Sequence, residues 1–432
     1  MKKDPQSDFI ETVNREYLKC AACGECRVVC PVYGVSGLEK NAARGRLSLA
    51  KALAGGDLEP SDNIAGSFEN CLLCMACASQ CAGHVDMVEV VLKGRAWLAH
   101  LRGLHRIKEL AFKALGSDRK YQDAGFATAR LAQYLFTSAL PENSGLRLRL
   151  SLPGFAPLME RILPALPRKP FIGRADRVFK AEKQRRHILL FVGCGSNYIY
   201  TEIAQKTVHL LNRLGVGVTV LSRQGCCGAP VQSHGDIKTL RKLAENNIKV
   251  LSGTSDLTII TICSSGGMML KTGYPHILAG TELEAKALGI SLRTMDISEY
   301  LVGRIGIEEI KHRMKRKITR ALSYHDPCHL GRGQQITNQP RVLLREVCEH
   351  YEEMPDAGGC CGLGGTYGIG HAEVSEQILD KKISNIASME SVPERLATAC
   401  PACIMQLAHG LYKRGCHTEV NHIVHYIWQS LE

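Results

Sequence analysis

The chain has 432 residues, and its 54 Lys and Arg against 42 Asp and Glu give a formal net charge of +12. Its 19 cysteines are too dilute for a small disulfide-stapled protein, and no apolar stretch is long enough to cross a bilayer. The N-terminus offers no apolar export signal, so we expect a cytoplasmic protein whose cysteines act as metal ligands or redox groups. The length predicts two or three domains.

Two runs of cysteines with the spacing C-x2-C-x2-C-x3-C lie in the first hundred residues: Cys20, Cys23, Cys26 and Cys30, then Cys71, Cys74, Cys77 and Cys81. The first run continues into Pro31, as in bacterial two-cluster ferredoxins, whereas Ala82 follows the second. Three closely spaced thiolates can cap one cubane, and the fourth then points to a second cluster. We therefore assign one 4Fe-4S cluster to Cys20, Cys23, Cys26 and Cys81, and the other to Cys71, Cys74, Cys77 and Cys30.

Two zinc sites are the alternative interpretation, because C-x2-C pairs also bind zinc. Zinc sites normally join two such pairs through a longer loop, whereas two consecutive C-x2-C steps followed by an x3 step crowd a single ion. Keeping a thiol ionised at neutral pH costs about 2 kcal/mol. We predict that residues 1–100 form a helical two-cluster domain of the ferredoxin type, which needs its clusters in order to fold.

Residues 101–186 are predicted to be a basic helical linker, rich in proline and ending in the charged run RVFKAEKQRR. A solvated linker is the favoured interpretation, and docking to an acidic partner or an anionic membrane surface is the alternative. Aromatic residues make up only 6% of the chain and no nucleic-acid-binding module is recognisable. We therefore expect no nucleic-acid partner.

The later cysteines recur in the same order, offset by 134, 134 and 137 residues: Cys194, Cys226 and Cys263, then Cys328, Cys360 and Cys400. This spacing indicates an internal duplication, with copies at 187–310 and 311–432. Apolar runs at 187–193, 216–221 and 257–262 alternate with helical patterns at about 197–213 and 235–252. Each copy is therefore predicted to contain a parallel α/β sheet, with its cysteines beyond the carboxyl ends of the strands.

The two copies differ in their candidate metal ligands, which are Cys194, Cys226, Cys227 and Cys263 in the first and Cys328, Cys360, Cys361, Cys400 and Cys403 in the second. Gly266 stands in the first copy where the second has Cys403. Glycines around the paired cysteines predict close approach of the backbone to a bulky inorganic group.

Three histidines flank the second site, and two cysteines lie outside the repeat. His325, His329 and His371 could tune a cluster, but we expect them to be structural side chains with satisfied hydrogen bonds. Cys348 and Cys416 are expected to be small buried hydrophobic residues.

The motifs CAACGECRVVCP, CLLCMACASQC, GCCGAP, HDPC, GGCCGLGGTYG and CPAC together resemble the iron-sulfur subunit of glycolate oxidase. They are also similar to the related iron-sulfur subunit of anaerobic glycerol-3-phosphate dehydrogenase, to lactate-utilisation proteins and to heterodisulfide reductase. The resemblance extends over essentially the whole chain. It implies an α+β multidomain protein in which a ferredoxin-type domain precedes two α/β cysteine-rich (CCG) domains.

The resemblance also implies cofactors and a role. The five-cysteine site of the second copy resembles the one that holds a non-cubane 4Fe-4S cluster in heterodisulfide reductase. The four-cysteine site of the first copy could hold a cubane, a zinc ion or nothing, and we favour a metal site.

We expect an electron-transfer subunit without catalytic residues of its own. It would accept electrons from a flavoprotein that oxidises a 2-hydroxy acid, and pass them to a quinone or another carrier, at the inner face of the membrane if it is peripheral. The alternative is a catalytic subunit like heterodisulfide reductase, in which the second CCG cluster reduces a disulfide.

Overall fold

The computed structural model describes residues 4–116, 119–140, 145–149, 161–254 and 256–432. Parts of the predicted linker, at 117–118, 141–144 and 150–160, lie outside the described residues. The chain divides into two compact units. The first comprises Met1–Lys113, Gly228–Leu240 and Cys360–Asp380, and the second Ala114–Cys227, Arg241–Gly359 and Lys381–Glu432.

The first unit is helical. Its helices are Pro5–Tyr17, Glu25–Val28, Pro31–Ser36, Glu39–Asn41 (a 3₁₀ turn), Ala43–Gly55, Asp62–Glu69, Ala76–Ser79, Met87–Arg102, Ala229–Gln232 and Tyr367–Gly370, and Arg106–Leu115 begins in it. Its core is aromatic at the centre, where the ring of Phe9 lies 5.0 Å from that of Trp97 and 6.2 Å from that of Phe68. The first helix begins at Pro5 because the Asp4 side chain accepts a hydrogen bond from Ser7 N, 3.2 Å away.

The strands lie in the second unit. They are β1 (Thr137–Ala139), β2 (Leu146–Leu148), β3 (Arg177–Phe179), β4 (Arg186–Phe191), β5 (Val216–Val220), β6 (Thr258–Thr261), β7 (Thr294–Asp296), β8 (Leu322–His325), β9 (Arg395–Thr398) and β10 (Glu419–His422). The first pair forms a small antiparallel hairpin.

The sheets confirm the predicted α+β architecture. The first copy contains a five-stranded sheet in the order β3-β5-β4-β6-β7, in which only β3 is antiparallel. The second contains a three-stranded parallel sheet in the order β10-β9-β8. The stretch that corresponds to β5 makes only two isolated bridges, from Ile318 to Cys348 and from Leu322 to Tyr351. The duplication is therefore incomplete at the level of the sheet.

The remaining helices connect these strands. They are Arg119–Phe136, Gly193–Tyr198, Thr201–Arg213, Ile237–Ser252, Ser264–Met268, Tyr274–Leu278, Glu284–Arg293, Ile297–Tyr300, Ile307–Arg313, Cys328–Gln334, Asn338–Val347, Ala372–Ala387, Pro401–Lys413 and Ile423–Leu431, with π-helical turns at Met269–Gly273 and Leu301–Ile305. The strands predicted at 187–193, 216–221 and 257–262 correspond to β4, β5 and β6. None of the described helices is both long and apolar enough to cross a membrane.

The structure departs from the predicted helical linker at β3. This strand lies within 101–186, yet its residues Arg177–Phe179 pair with β5 and form the edge of the first sheet. Phe171 and Ile172, also in the predicted linker, are buried in the core of the second unit. The strand was not predictable, because three residues are too few for a recognisable period-2 pattern.

Both copies share one hydrophobic core. Leu190 and Ile260 of the first sheet belong to the same buried cluster as Tyr324 and Ile427 of the second copy. The rings of His209 and Trp428 are in tilted contact, with centroids 5.6 Å apart. We therefore expect the second unit to unfold as one body, because neither copy buries its apolar face alone.

Candidate metal centres

The two cysteine runs of the first unit have matching loop conformations. The backbone takes a positive φ at Ala22 and Gly24 in the first run, and at Leu73 and Met75, each 51 residues later, in the second. The left-handed region costs an L-residue about 1–2 kcal/mol, and three of these four residues are not glycine. Such strain persists only where the surroundings enforce it, which fits loops shaped around a bound group.

Four cysteines of the two runs line a single cavity: Cys30, Cys71, Cys74 and Cys77. They are the four that the crosswise assignment gives to one cluster. Burial raises the pKa of the Cys77 thiol well above its ordinary value, and burial likewise raises the pKa of Cys30. Because burial disfavours the thiolate, a bound cation or cluster is needed to keep these groups ionised as ligands.

The other four cysteines are the first three of the first run, Cys20, Cys23 and Cys26, and the last of the second run, Cys81. Burial raises the pKa of Cys26, and the charges of Cys20 and Cys23 add to this effect. A Cβ on Gly83 would lie 2.3 Å from the Lys19 carbonyl oxygen and 4.0 Å from Cys81 Sγ. The turn that follows Cys81 therefore packs against the residue before Cys20, as the crosswise assignment requires.

The segments that follow the paired cysteines of both copies belong to the first unit. Arg95 Nη1 donates to the Ser233 carbonyl oxygen at 2.6 Å, and Tyr367 OH donates to Asn70 Oδ1 at 2.7 Å. A Cβ on Gly364 would lie 2.7 Å from Leu72 Cδ2, so only glycine allows this approach. The segment that carries Cys360 and Cys361 thus packs directly against the residues around Cys71.

The cysteines of the first copy follow the ends of its parallel strands. Cys194 Sγ and Cys226 Sγ lie 4.0 Å apart, beyond β4 and β5 respectively. Cys263 follows β6 and caps the helix Ser264–Met268. The carboxyl edge of the sheet therefore collects these cysteines, as strand topology predicts.

Two buried side chains that sequence reasoning missed hold the Cys226–Cys227 backbone. Asn247 accepts a hydrogen bond from Gly225 N at 2.8 Å and donates to the Cys226 carbonyl oxygen at 2.9 Å. Tyr274 OH donates to the Cys227 carbonyl oxygen at 3.0 Å. Both side chains are fully buried, so they are positioning residues for this cysteine pair.

In the second copy, Cys328 begins the helix Cys328–Gln334, and Cys400 caps the helix Pro401–Lys413, whose first turn contains Cys403. Hydrogen bonds with Cys263, Cys403 and Ser264 lower the pKa of the Cys400 thiol well below its ordinary value. The hydrogen bond with Cys400, and burial, raise the pKa of Cys263.

The contact between Cys263 and Cys400 joins residues that the sequence analysis assigns to two different sites. The five cysteines of the second candidate site are divided between the two units. Cys360 and Cys361 belong to the first unit, and Cys328, Cys400 and Cys403 belong to the second.

The expectation of hydrogen-bonded structural histidines is wrong for His325. Its side chain is 1% exposed, and neither ring nitrogen has a hydrogen-bond partner among the described residues. A ring nitrogen lies within 4.8 Å of Cys403 Sγ. Burial lowers the pKa of His325 to about 3, so the imidazole is neutral at pH 7. By contrast, His329 Nδ1 lies 2.8 Å from Ser265 Oγ, and the His371 ring stacks on Tyr367.

The two cysteines outside the repeat behave differently. Cys348 is 3% exposed and donates to the Arg320 carbonyl oxygen at 3.5 Å, as expected for a small buried residue. Cys416 is only half-buried, so the expectation of burial is wrong there. It directly follows Gly415, which ends the turn after the helix Pro401–Lys413, and a turn leaves its residues accessible.

Comparison with protein families defines the class of protein. The model of the cysteine-rich (CCG) domain matches twice, at 188–271 and 322–408, and the model of the 4Fe-4S dicluster domain matches at 16–85. The chain is therefore an iron-sulfur protein with a dicluster domain followed by two cysteine-rich domains.

Relatives narrow the class to a family. The probable glycolate oxidase iron-sulfur subunit of Bacillus subtilis is 28% identical over 97% of this chain and 94% of its own length. Lactate utilization protein A of Anoxybacillus flavithermus is 30% identical over 55% of this chain and 97% of its own length. Lactate utilization protein A of Geobacillus kaustophilus is 31% identical over 55% of this chain and 96% of its own length. The chain belongs to the family of glycolate oxidase iron-sulfur subunits, which confirms the resemblance in the sequence motifs.

Proposed function

We propose that this chain is the electron-transfer subunit of a flavin-dependent 2-hydroxy-acid dehydrogenase that acts on glycolate or lactate. It receives electrons from a flavoprotein partner that carries out the hydroxy-acid oxidation, and it passes them to a quinone or another carrier. The names of the glycolate oxidase and lactate utilization relatives support this class of substrate.

The observation that carries the proposal is the composition of the first unit. The eight ferredoxin-type cysteines share this unit with the segments that follow the cysteine pairs of both copies. Tyr367 OH donates to Oδ1 of Asn70, the residue before Cys71, and so links the segment that follows Cys360 and Cys361 to the second cysteine run. Such an arrangement suits a relay between centres better than a pocket for an organic substrate.

Bound 4Fe-4S clusters supply reversible one-electron transfer, with potentials set by charge, hydrogen bonding and burial. Four residues hold each cluster of the dicluster domain: Cys20, Cys23, Cys26 and Cys81 for one, and Cys30, Cys71, Cys74 and Cys77 for the other. In the second copy, Cys328, Cys360, Cys361, Cys400 and Cys403 hold a third cluster. In the first copy, Cys194, Cys226, Cys227 and Cys263 form a further metal site.

The chain's own residues fix the loops that carry these thiols. The hydrogen bond from Tyr367 to Asn70 holds the residue before Cys71, and Asn247 holds the carbonyl group of Cys226. A rigid loop keeps the change in geometry between oxidised and reduced states small, and electron transfer is then fast in both directions. Cys74 is buried and Cys77 partly buried, which limits the access of water to that site.

A disulfide reductase is the second candidate, and the contact between Cys263 and Cys400 favours it. That contact brings thiols of the two cysteine-rich copies together, where a disulfide substrate could meet both. The purified chain with an artificial electron donor would then reduce a heterodisulfide without any partner. Activity that appears only after a flavoprotein is added contradicts this candidate.

The test is anaerobic purification of the chain together with the flavoprotein that associates with it. About eight or more iron atoms per chain, with matching acid-labile sulfide, are expected from two or more 4Fe-4S clusters. Addition of glycolate or lactate should then reduce the clusters only when the flavoprotein is present. Stoichiometric zinc without sulfide would contradict the proposal, and so would clusters that remain oxidised in the complete, substrate-treated complex.

A further inference from the structure

Two arginine side chains are buried beside the second cysteine run. Arg46, in the helix Ala43–Gly55, is 2% exposed, and Arg95, in the helix Met87–Arg102, is 6% exposed. Each lies on the buried, otherwise apolar face of its helix, which in the helix of Arg46 includes Leu47 and Leu53. Buried arginine normally pairs with a carboxylate, because an isolated charge loses its favourable hydration when it leaves water.

Neither arginine has such a partner in the part of the chain that the structure describes. Arg95 donates to backbone carbonyl oxygens alone: those of Phe68 (3.0 and 2.8 Å), Glu69 (2.9 Å), Cys71 (2.6 Å) and Ser233 (2.6 Å). Arg46 donates to the carbonyl oxygens of Ser67, at 2.7 Å, and Asn70. Carbonyl groups satisfy the N–H donors but carry no net charge, so neither guanidinium group has a carboxylate in contact with it among the described residues.

Both arginines hold the same short segment of chain. Apart from Ser233, their acceptors run from Ser67 to Cys71, the segment that enters the second cysteine run. Arg46 also lines the cavity formed by Cys30, Cys71, Cys74 and Cys77. A cluster bound by four thiolates is a net anion, and its negative charge grows when it is reduced. A cluster in this cavity would therefore place negative charge beside Arg46. It would also lie near Arg95, which does not line the cavity but donates to the Cys71 carbonyl oxygen at 2.6 Å.

The first cysteine run lacks an equivalent pair of cations among the described residues. Its neighbouring arginines are Arg27 and Arg44, whose side chains are 39% and 30% exposed and are paired with Glu39 at 3.6 and 2.8 Å. Lys19, just before Cys20, is paired with Glu16 at 2.8 Å. Exposed and paired cations contribute little to a nearby potential, because water and the partner carboxylate screen them.

We infer that Arg46 and Arg95 are built-in counter-charges for the cluster held by Cys30, Cys71, Cys74 and Cys77, and that they raise its reduction potential above that of the cluster held by Cys20, Cys23, Cys26 and Cys81. Buried positive charge favours the reduced, more negative cluster. Within the dicluster domain, electrons then collect on the second cluster, next to the segment of Cys360. This inference deepens the proposed function and rests on it.

The experiment is an EPR-monitored redox titration of the purified holoprotein, carried out on Arg46→Gln and Arg95→Gln. Glutamine removes the charge and keeps donors for the carbonyl groups. Each variant should lower the midpoint potential of one cluster and leave the other unchanged, and the electron distribution between the two should change by about tenfold, which corresponds to 59 mV. Arg102→Gln is the matched control, because Arg102 lies on the same helix as Arg95 but is paired with Asp62 at 2.8 Å. The Arg102→Gln variant should leave the midpoint potentials of both clusters unchanged.

Charge-conserving variants separate an electrostatic role from a purely structural one. Arg46→Lys and Arg95→Lys keep the positive charge but lose the bidentate geometry, so the potential should stay near that of the parent protein. Equal potential shifts in the Lys and Gln variants would overturn the inference. If a Gln variant fails to retain iron, the midpoint potentials of the corresponding Lys variant and of the other Gln variant test the inference instead.

The two proposals fail in different ways. Wild-type protein without iron and sulfide contradicts the proposed function and the inference together. Gln variants that keep both clusters at unchanged potentials contradict the inference alone, and the proposed electron-transfer role stands.

Discussion

The two cysteine runs of the first unit have the same spacing and the same left-handed positions, yet different surroundings. The segment that enters Cys71 is held by two buried arginines that lack carboxylate partners among the described residues, whereas around Cys20 the nearest cations are more exposed and carry such partners. The spacing of ligands is thus repeated while the electrostatic environment is not. Two centres of one chemical type can therefore have different potentials without any change in their ligands.

The largest expected effect tests whether the two runs share ligands crosswise. Cys26→Ser should remove one 4Fe-4S cluster, about four iron atoms per chain, and stop turnover with the flavoprotein. Cys77→Ser should remove the other cluster and leave a different EPR signal behind. Iron analysis and EPR spectra of both holoproteins measure the result, and an unaltered signal and rate in the Cys26 variant would refute the assignment.

A second prediction compares the backbone strain of the two loops. Gly24 and Met75 occupy equivalent positions with φ of 89° and 61°. Gly24→Met should lower the stability of the first loop by about 1–2 kcal/mol, the cost of the left-handed conformation. Met75→Gly should relieve that cost in the second loop and gain somewhat less, because glycine adds entropy to the unfolded chain.

Anaerobic urea unfolding of the holoproteins measures both changes. A loss of stability in Met75→Gly as large as that in Gly24→Met would show that the side chain of Met75, rather than its backbone, matters at this position.

A third prediction concerns the hydrogen bond between Tyr367 and Asn70, the residue before Cys71. Tyr367→Phe removes the hydrogen bond to Asn70 and should cost about 1 kcal/mol of stability. It should slow electron transfer out of the second cluster and leave the EPR signal of the first unchanged. Stopped-flow reduction of the complete complex measures the rate. Tyr412→Phe, at an exposed tyrosine of the second unit, is the control.

The smallest expected effect concerns a cysteine outside both runs. Cys348→Ser should preserve iron content, EPR spectra and turnover, because its thiol donates to the Arg320 carbonyl oxygen and a serine hydroxyl can replace that donor. A lost cluster signal in this variant would place Cys348 among the ligands.

The sequence revealed the cysteine chemistry because ligand spacing is local and specific. The two C-x2-C-x2-C-x3-C runs and the repeated cysteine pairs predict the dicluster and cysteine-rich domains, and the family matches confirm both. The strands β4, β5 and β6 were also predictable, since each is a buried apolar run. Positions that depend on long-range pairing were not, as β3 and the contact between Cys263 and Cys400 show.

The supporting polar residues were missed for a different reason. Arg46, Arg95 and Asn247 lie at core-facing positions of amphipathic helices. In the sequence, a polar residue at such a position only interrupts the helical spacing of apolar residues. Arg95, for example, stands between Val91 and Leu98 on the buried face of its helix. A charged residue in the middle of an apolar stripe was the available signal. Its meaning depends on carbonyl groups contributed by distant segments, which the sequence alone does not bring together.

The interleaved composition of the first unit has a consequence for biosynthesis. Its last segment ends at Asp380, near the end of a chain of 432 residues. A ribosome must therefore reach Ser233 before the last acceptor of Arg95 emerges, and Tyr367 before the partner of Asn70 emerges. Before that point the loop that carries Cys71 lacks its later contacts, so we expect cluster insertion there after translation. A fragment that stops at residue 100 should therefore incorporate this cluster poorly.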